Sequence, residues 1–292
     1  MKILLAVDCS HGSEELVAEV LQQAWPMGAQ FDVLHVSEPV HTWTQALPVD
    51  ALNAKAHEVV NDAVFSFSGR GWSCDRYFRE GDAKKEILQF AEESHPDLII
   101  LGARRRSNTS RFLMGSVSTS VMRHAKCSVQ IVRAHPHDFR AERSYRILLA
   151  TDGSDQALKA AQAIATRPSK PGTEILVVSV LELILPPTLT LLGPGDFGFP
   201  PDGEEFNEAK REAHGNATRA VHILSRNCPH VSEAILVVSS GAKNAILEEA
   251  ERWDADLIFV GSHGRRGLDR FLLGSVSEAV ATHAKCSVEV VR

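Results

Sequence analysis

A glycine-rich segment near the carboxyl end of the 292-residue chain has the residue types and spacing of an anion-binding site. The apolar run DLIFV (256–260) is followed by Gly261, two residues, Gly264, nine residues, and then Gly274 and Ser275. Glycines directly after a strand can adopt positive φ and allow backbone N–H groups to approach an anion closely. We therefore expect a phosphate-binding loop between this strand and the segment that follows.

The segment after the loop adds to this expectation. Helical periodicity predicts a helix over 276–284, and Ser275 and Glu278 are spaced as a capping box. A helix start presents unpaired N–H groups and the positive end of the helix dipole, which favour a phosphate. His263, Arg265 and Arg266 would add cationic donors nearby. The alternative, an ordinary turn with a helix cap, is disfavoured because the loop lies between a strand and a capped helix.

The chain is a tandem duplication with one insertion. Residues 81–133 align without gaps with residues 240–292, and 27 of these 53 positions are identical. Near the start of each half, KILLAVDCS (2–10) aligns with RILLATDGS (146–154) at an offset of 144, compared with 159 for the longer match. The second half therefore contains 15 extra residues, which we place at 183–203, a stretch rich in proline and glycine.

This repeat predicts two domains, over 1–138 and 144–292, with a polar junction at 134–144. The insertion would follow the second strand of the second domain. It could act as a lid over a ligand there, or it could be an interface segment or a disordered loop, and the sequence leaves these open.

Each half alternates short aliphatic strands with segments of helical periodicity. The strands predicted in the first half are 3–7, 31–36, 97–101 and 128–132, and the helices, with their counterparts, are 13–24, 82–93, 155–166 and 242–253. This alternation predicts an α/β fold with two tandem doubly wound parallel sheets. The apolar stretch 175–192 is interrupted by Glu182 and two prolines, so we interpret it as a strand and a loop and not as a membrane span.

Doubly wound sheets bind ligands outside the carboxyl ends of their strands, at the point where the strand order reverses. In this chain that edge carries Asp8 and Asp152, each of which follows the first strand of its half, and the glycine loop.

With these motifs in register, the chain resembles a tandem universal stress protein over nearly all of its length. Gly261, Gly264, Gly274 and Ser275 match the nucleotide signature of that family, G-x2-G-x9-G-[S/T]. The resemblance implies strand order 3-2-1-4-5 in each domain and a pseudo-twofold relation between the domains. It also implies that ATP, accompanied by Mg2+, binds with its phosphates in the glycine loop and its adenosine near the first two strands.

The resemblance also implies roles for individual residues. Asp152 would meet the ribose or the adenine edge, and Val180 would offer backbone groups to adenine. Gly261 and Gly264 would lie against the ribose and phosphates, and the phosphates would be cradled by Gly274, Ser275, Val276 and Ser277. Asp152 has a second, compatible interpretation as the N-cap of the helix over 155–166.

The first half departs from the signature. Its loop begins Gly102-Ala103-Arg104-Arg105-Arg106, so that Arg105 stands at the position of Gly264, and Thr119 replaces Glu278. A long cationic side chain would enter the space that a phosphate needs. We favour the hypothesis that Arg105 plugs the first site, although the arginine run could instead strengthen binding of a phosphate held further out.

Composition excludes several classes. The 31 Lys and Arg residues against 37 Asp and Glu give a net charge of −6, without a global attraction to nucleic acid or to an anionic membrane. The five cysteines include no C-x-x-C pair, and the apolar N-terminal run is too short for a signal peptide, so we expect a cytoplasmic protein. His135 and His137 lack partnered ligands, and we expect no metal site there.

The last strands of the two halves, 128–132 and 287–291, should lie at sheet edges. Exposed edges invite pairing, and in universal stress proteins this edge forms a dimer. A tandem chain can form the same contact internally, and a further homodimer or a partner protein would use other surfaces.

The leading functional hypothesis is an ATP-binding stress-response regulator that binds nucleotide through its second domain, with weak ATPase activity at most. Asp269 and Glu278 are the carboxylates within the loop and helix, and neither has a partner that defines a mechanism. The alternatives are an adenylylating or slowly ATP-hydrolysing enzyme and a nucleotide-free scaffold. An adenylylating enzyme would need a pyrophosphate loop after the first strand, where this chain has Asp152 followed by Gly153.

Overall fold

A computed structural model of the protein describes residues 1–10, 12–38, 49–103, 114–133, 143–182, 203–238, 241–265 and 273–292. Four segments discussed above lie outside these residues: the Arg104–Arg106 run, the junction over 134–142, the insertion over 183–202 and the loop over 266–272.

Both halves have the predicted alternation of strands and helices. The first half consists of β1 (Lys2–Val7), α1 (Gly12–Gln22), β2 (Gln30–Ser37), α2 (Val49–Ser68), β3 (Ser73–Glu80), α3 (Ala83–Ser94), β4 (Leu98–Gly102), α4 (Ser116–His124) and β5 (Ser128–Val132). The second half consists of β6 (Arg146–Ala150), α5 (Asp155–Thr166), β7 (Glu174–Glu182), α6 (Glu204–Leu224), β8 (Val231–Val238), α7 (Ala242–Arg252), β9 (Leu257–Gly261), α8 (Ser275–His283) and β10 (Ser287–Val291). The strand predicted at the start of the apolar stretch 175–192 is β7.

The ten strands form one sheet in the order β3-β2-β1-β4-β5-β10-β9-β6-β7-β8. Within each half the strands are parallel and follow the order 3-2-1-4-5, as the family resemblance implied. The halves meet through antiparallel pairing of β5 with β10, in which Glu289 lies opposite Gln130. The prediction that the last strands pair inside the chain is therefore confirmed.

The helices cover both faces of this sheet. On one face a single apolar cluster runs across the junction between the halves, from Leu4 and Val129 to Val288 and Val290. On the other face each half has its own cluster, built on helices α1 and α2 in the first half and α5 and α6 in the second. Burial on both faces explains why the central strands are continuously apolar instead of alternating.

Two arginines at equivalent repeat positions join the halves reciprocally. Arg133 follows β5 and donates to the carbonyl oxygen of Ala281, near the end of α8, at 2.5 Å. It also donates to the carbonyl oxygen of Cys286, beyond that helix, at 3.4 Å. Arg292 follows β10 and donates to the carbonyl oxygen of Met122 in α4 at 2.5 Å. Each cation therefore satisfies carbonyl groups near the carboxyl end of a helix in the other half, where the helix dipole favours positive charge.

The structural register divides the 15 extra residues of the second half between two places. β7 matches β2 at the offset of 144, whereas β8 matches β3 at an offset of 157, because Cys74 pairs with Phe31 as Val231 pairs with Ile175. Thirteen extra residues therefore precede β8, and two more lie between β8 and α7. Sequence alone placed all of them at 183–203 because β3 and β8 share almost no residues.

Within the described part of the chain, no helix combines the length and the apolar character that crossing a membrane would require.

Candidate functional site

The candidate site lies at the carboxyl edge of the second half, where Asp152 follows β6. Its Oδ1 accepts a hydrogen bond from the N–H of Ser154 at 3.0 Å, and its Oδ2 accepts one from the N–H of Arg265 at 3.0 Å. The N-cap of α5 is Ser154, whose Oγ accepts from the N–H of Ala157 at 3.3 Å. The interpretation of Asp152 as the helix cap was therefore wrong, and its carboxylate instead ties the β6 turn to the glycine loop.

Strand β7 extends beyond the end of β6, so that Val180 lies past the last residue pair of the two strands. Pairing of β6 with β7 ends at Ala150 and Val178, and the N–H of Thr151 then donates to the carbonyl of Val178 at 2.8 Å. The N–H and C=O groups of a strand residue point to one side, and this side alternates along the strand. Val180 therefore directs its backbone groups to the same side as Val178, past the end of β6.

Close packing, tightest against backbone at Gly261, and not positive φ, characterises the glycines of the loop, which corrects our sequence-based reason for them. Gly261, Gly264 and Gly274 all lie outside the left-handed region. A Cβ atom at Gly261 would lie 2.7 Å from the backbone carbon of Gln156, and one at Gly264 would lie 2.8 Å from Asp152 Oδ2. One at Gly274 would lie 3.2 Å from the carbonyl oxygen of Ser262. In the turn after β6, Gly153 has a positive φ, of 76°.

Helix α8 begins at Ser275 without the predicted capping box. Its N-cap is Gly274, and no side chain caps it. Glu278 instead contacts Arg123 of α4, in the other half of the chain, whose Nε lies 3.1 Å from its Oε1. The positive end of the helix dipole consequently faces the loop without a side-chain carboxylate in the cap.

The hydroxyl group of Ser277 already forms a hydrogen bond within the protein. Its Oγ donates to the carbonyl of Gly261 at 2.6 Å, and the equivalent Ser118 donates to the carbonyl of Gly102 at 2.8 Å. This bond attaches the first turn of the helix to the preceding strand in both halves. Ser277 is thus available to a ligand through its backbone N–H, as are Ser275 and Val276 in the same turn.

Two buried polar atoms near the loop have no hydrogen-bond partner among the described residues: His263 Nε2 and Gln156 Oε1. The other ring nitrogen of His263, Nδ1, lies 2.9 Å from Ser262 Oγ. Buried polar atoms normally have partners, so these two are candidates for contact with a bound polar molecule.

Helix α6 supplies three polar residues that the sequence reasoning missed. Glu212 contacts the guanidinium of Arg265, Arg219 donates to the carbonyl of Gly153 at 3.4 Å, and Asn216 accepts from Arg219 at 2.7 Å. Their spacing of four and three residues places them along one stripe of the helix. The signal was present in this spacing, next to the buried alanines, but the partner loop could not be read from it.

The model of the universal stress protein family matches this chain twice, over residues 1–133 and 144–292. The chain belongs to the universal stress protein family. A universal stress protein of Mycolicibacterium smegmatis is 29% identical over 99% of this chain and 96% of that relative. One from Mycobacterium tuberculosis H37Rv is 28% identical over 67% of this chain and 62% of its own length.

Solved structures show the same fold over the whole chain. A universal stress protein from Archaeoglobus fulgidus DSM 4304 has a TM-score of 0.68 at 23% identity and covers 100% of this chain and 98% of its own. A functionally unknown protein from Pseudomonas aeruginosa PAO1 has a TM-score of 0.58 at 17% identity and covers 99% of this chain and 92% of its own.

The first half of this universal stress protein has a different arrangement at the same edge. Asp8 accepts hydrogen bonds from the N–H of Ser10 at 3.0 Å and from Ser13 Oγ at 3.1 Å. His35 Nδ1 lies 3.1 Å from the carbonyl of Val7, and its Nε2 lies 3.9 Å from the Cys9 sulfur. Burial lowers the pKa of His35 and raises that of the Cys9 thiol, so both groups are neutral near pH 7.

Two further thiols of this universal stress protein, those of Cys127 and Cys286, also lack the features of reactive groups. All five cysteines are free. Burial raises the pKa of Cys127 to about 11 and that of Cys286 to about 12, which keeps both protonated. Among the described residues, no group of three or more His, Cys, Asp or Glu side chains is placed to hold a metal ion.

Proposed function

We propose that the second half of this universal stress protein binds an adenine nucleotide, ATP in particular, and that the protein acts as a nucleotide-responsive regulator with little or no catalysis. The proposed binding residues are Asp152, Val180, Gly261, His263, Gly264, Arg265, Gly274, Ser275, Val276 and Ser277. The observation that carries the proposal is the contact between the glycine loop and the β6 turn, where Asp152 Oδ2 accepts from the N–H of Arg265 at 3.0 Å and a Cβ at Gly264 would lie 2.8 Å from the same oxygen.

The residues present are suited to this ligand. Val180 directs backbone groups past the end of β6, where an adenine edge could exchange hydrogen bonds with them. The start of α8 has no side-chain cap, so its N–H groups and dipole favour phosphate oxygens. The buried Nε2 of His263 could donate to a ligand oxygen when protonated.

Bound ATP would supply the phosphate charge and accompany a divalent ion. The protein residues would orient it: Asp152 would accept from the nucleoside, and the first turn of α8 would donate N–H groups to the phosphates. Because the described residues offer no carboxylate cluster for a metal, we propose that Mg2+ enters as part of the nucleotide complex.

Two contacts favour binding over catalysis. Glu278, a carboxylate in the first turn of α8, is paired with Arg123 and is therefore a poor general base. The N–H of Ser154 donates to Asp152, so the turn after β6 presents a carboxylate where an adenylylating enzyme would need pyrophosphate donors. A pyrophosphate-release assay with ATP should accordingly show no turnover above background, and robust release would overturn this part of the proposal.

The test is isothermal titration of MgATP, and of ATP in EDTA, into nucleotide-stripped protein. We expect one site per chain. Gly264→Arg should abolish binding, because its Cβ would lie 2.8 Å from Asp152 Oδ2 and its cation would enter the phosphate space.

The matched control is Gly69→Arg, just after α2 in the first half, where the atom nearest to a Cβ would be the carbonyl oxygen of Phe65 at 3.5 Å, an ordinary contact, and which should bind as the wild type does. Two sites per chain would mean that the first half also binds. The absence of any heat with ATP, ADP or AMP would refute the proposed function.

A further inference from the structure

Arg265 holds Asp152 at two points. Its N–H donates to the carboxylate Oδ2 at 3.0 Å, and its side-chain Nε donates to the backbone carbonyl of Asp152 at 2.6 Å. The second bond is short and charge-assisted, which makes it directional. A single residue therefore constrains both the side chain and the peptide plane of Asp152.

The outer edge of the Arg265 guanidinium contacts Glu212 on α6. The side chains of Arg265 and Glu212 are 42% and 58% exposed, and an ion pair this exposed contributes little to folding stability. The pair instead orients the guanidinium of Arg265, which it holds extended across the β6 turn. The described contacts of Arg265 are with Asp152 and Glu212, and none reaches the start of α8.

The first half lacks this pair. The buried stripe of α6 matches that of α2 at the offset of 157, with Ala213 and Ala217 at the positions of Ala56 and Val60. Lys55 therefore occupies the position of Glu212, and Arg106 occupies that of Arg265. Two cations cannot form the anchor that the second half has.

We propose that Arg265 is a positioning residue for Asp152, anchored by Glu212, and not a ligand of the phosphates. This inference rests on the proposed nucleotide site and specifies how its nucleoside end is built. It predicts that loss of the contacts between Arg265 and Asp152 lowers the affinity for every adenine ligand by the same factor, whatever the number of phosphates.

The experiment compares adenosine, AMP and MgATP as competitors of a fluorescent ATP analogue on the wild type, Arg265→Ala, Arg265→Lys and Glu212→Gln. For Arg265→Ala we expect all three affinities to fall by the same factor, roughly tenfold, the loss of one charge-assisted hydrogen bond. The three affinities of Arg265→Lys should fall by a similar factor, because lysine keeps the positive charge but lacks the Nε donor. Glu212→Gln should fall by a smaller common factor, about threefold.

The control is Glu251→Gln, which removes an ion pair of similar exposure, Glu251 with Lys285 at 2.6 Å, and should leave all affinities unchanged. Amide hydrogen exchange without ligand gives a second readout, since the N–H of Arg265 should lose protection in Glu212→Gln and keep it in Glu251→Gln.

A fall in MgATP affinity with adenosine unaffected would show that Arg265 binds phosphate, and would overturn this inference while leaving the proposed function intact. If Glu212→Gln had the same ligand affinities and the same amide protection as Glu251→Gln, the proposal that Glu212 anchors Arg265 would be refuted. A wild-type protein that binds none of the three ligands would refute the proposed function, and this inference with it.

Discussion

The two halves place an aspartate at the same point of the sheet and surround it differently. In the second half Asp152 is bonded to a residue of the glycine loop, Arg265, which α6 anchors. In the first half the described hydrogen bonds of Asp8 come from its own turn, from Ser10 and Ser13. Asp152 is thus part of a contact between three elements, whereas the contacts of Asp8 with the residues that the structure describes lie within its own turn.

The halves also differ at the middle of the sheet. Glu289 is fully buried and receives two hydrogen bonds of 2.6 Å from Arg167, whose guanidinium lies 5.5 Å from the centre of the Phe259 ring. The equivalent residues of the first half are Gln130 and Gln23, and neither amide atom of Gln130 has a partner among the described residues. The two halves therefore share the scaffold, and the second has an ion pair where the first has two amide side chains.

This comparison separates scaffold from site. The bond from the serine in the first turn of the last helix to the preceding glycine carbonyl is present in both halves, as Ser277 to Gly261 and Ser118 to Gly102. Among the described residues, the bond from the glycine loop to the aspartate is present in the second half, as Arg265 to Asp152. The serine bond therefore belongs to the fold that the halves share, and the bond to Asp152 belongs to the candidate site.

The largest effect should come from removing the buried ion pair at the centre of the sheet. Glu289→Gln copies the first-half residue and leaves Arg167 buried without a counter-charge, so we expect the free energy of unfolding to fall by about 3–5 kcal/mol. Urea denaturation measures this.

The double variant Glu289→Gln/Arg167→Gln reproduces the first-half pair and should recover much of the loss, because it removes the unpaired charge. A double variant no more stable than Glu289→Gln would show that the ion pair is not what distinguishes the two halves.

A smaller difference in unfolding free energy should distinguish alanine substitutions at the two equivalent glycines, which end β9 and β4. Gly261→Ala places a Cβ 2.7 Å from the backbone of α5, and we expect a loss of about 1–3 kcal/mol in unfolding free energy. In Gly102→Ala the nearest atom would be Leu16 Cδ2 at 3.9 Å, an ordinary contact, so stability should stay within about 1 kcal/mol of wild type. Equal losses in the two variants would contradict the closer helix approach that we describe for the second half.

The smallest effect concerns pH and His35, whose counterpart in the second half is Ser179. Burial lowers the pKa of His35 below its ordinary 6.5, so the unfolded chain binds the proton more readily. The stability that neutral His35 contributes is complete above pH 6.5 and is lost as the pH falls from there toward the lower folded-state pKa.

His35→Ser should therefore lose less stability than the wild type between pH 7 and pH 5, with a difference under about 1 kcal/mol. Urea denaturation at several pH values measures the slope, which is insensitive to the packing that the variant also removes. Identical slopes in the two proteins would show that His35 does not titrate differently on folding.

Much of the fold could be predicted because its signals are local or repeated. The alternation of aliphatic runs with helical periodicity identified β1, β2, β4 and β5, and the 27 identities between the halves required a second copy of whatever the first half forms. The pairing of the last strands followed from their position at the edge of each half. The offset of β8 did not follow, since β3 and β8 share backbone pairing but few residues.

The sequence by itself determined the element types, the duplication, the glycine spacing and the aspartate after each first strand, because these depend on residues close together in the chain or on direct repetition. Only the tertiary structure decided which atoms lie close to the glycines of the loop and which residue is hydrogen-bonded to Asp152. A Cβ at Gly264 would lie 2.8 Å from Oδ2 of Asp152, a residue 112 positions earlier, and Arg265 contacts Glu212 on a helix that belongs to another connection of the sheet. Such contacts join side chains that only the packing of loops and helices brings together, and nothing in the local sequence encodes them.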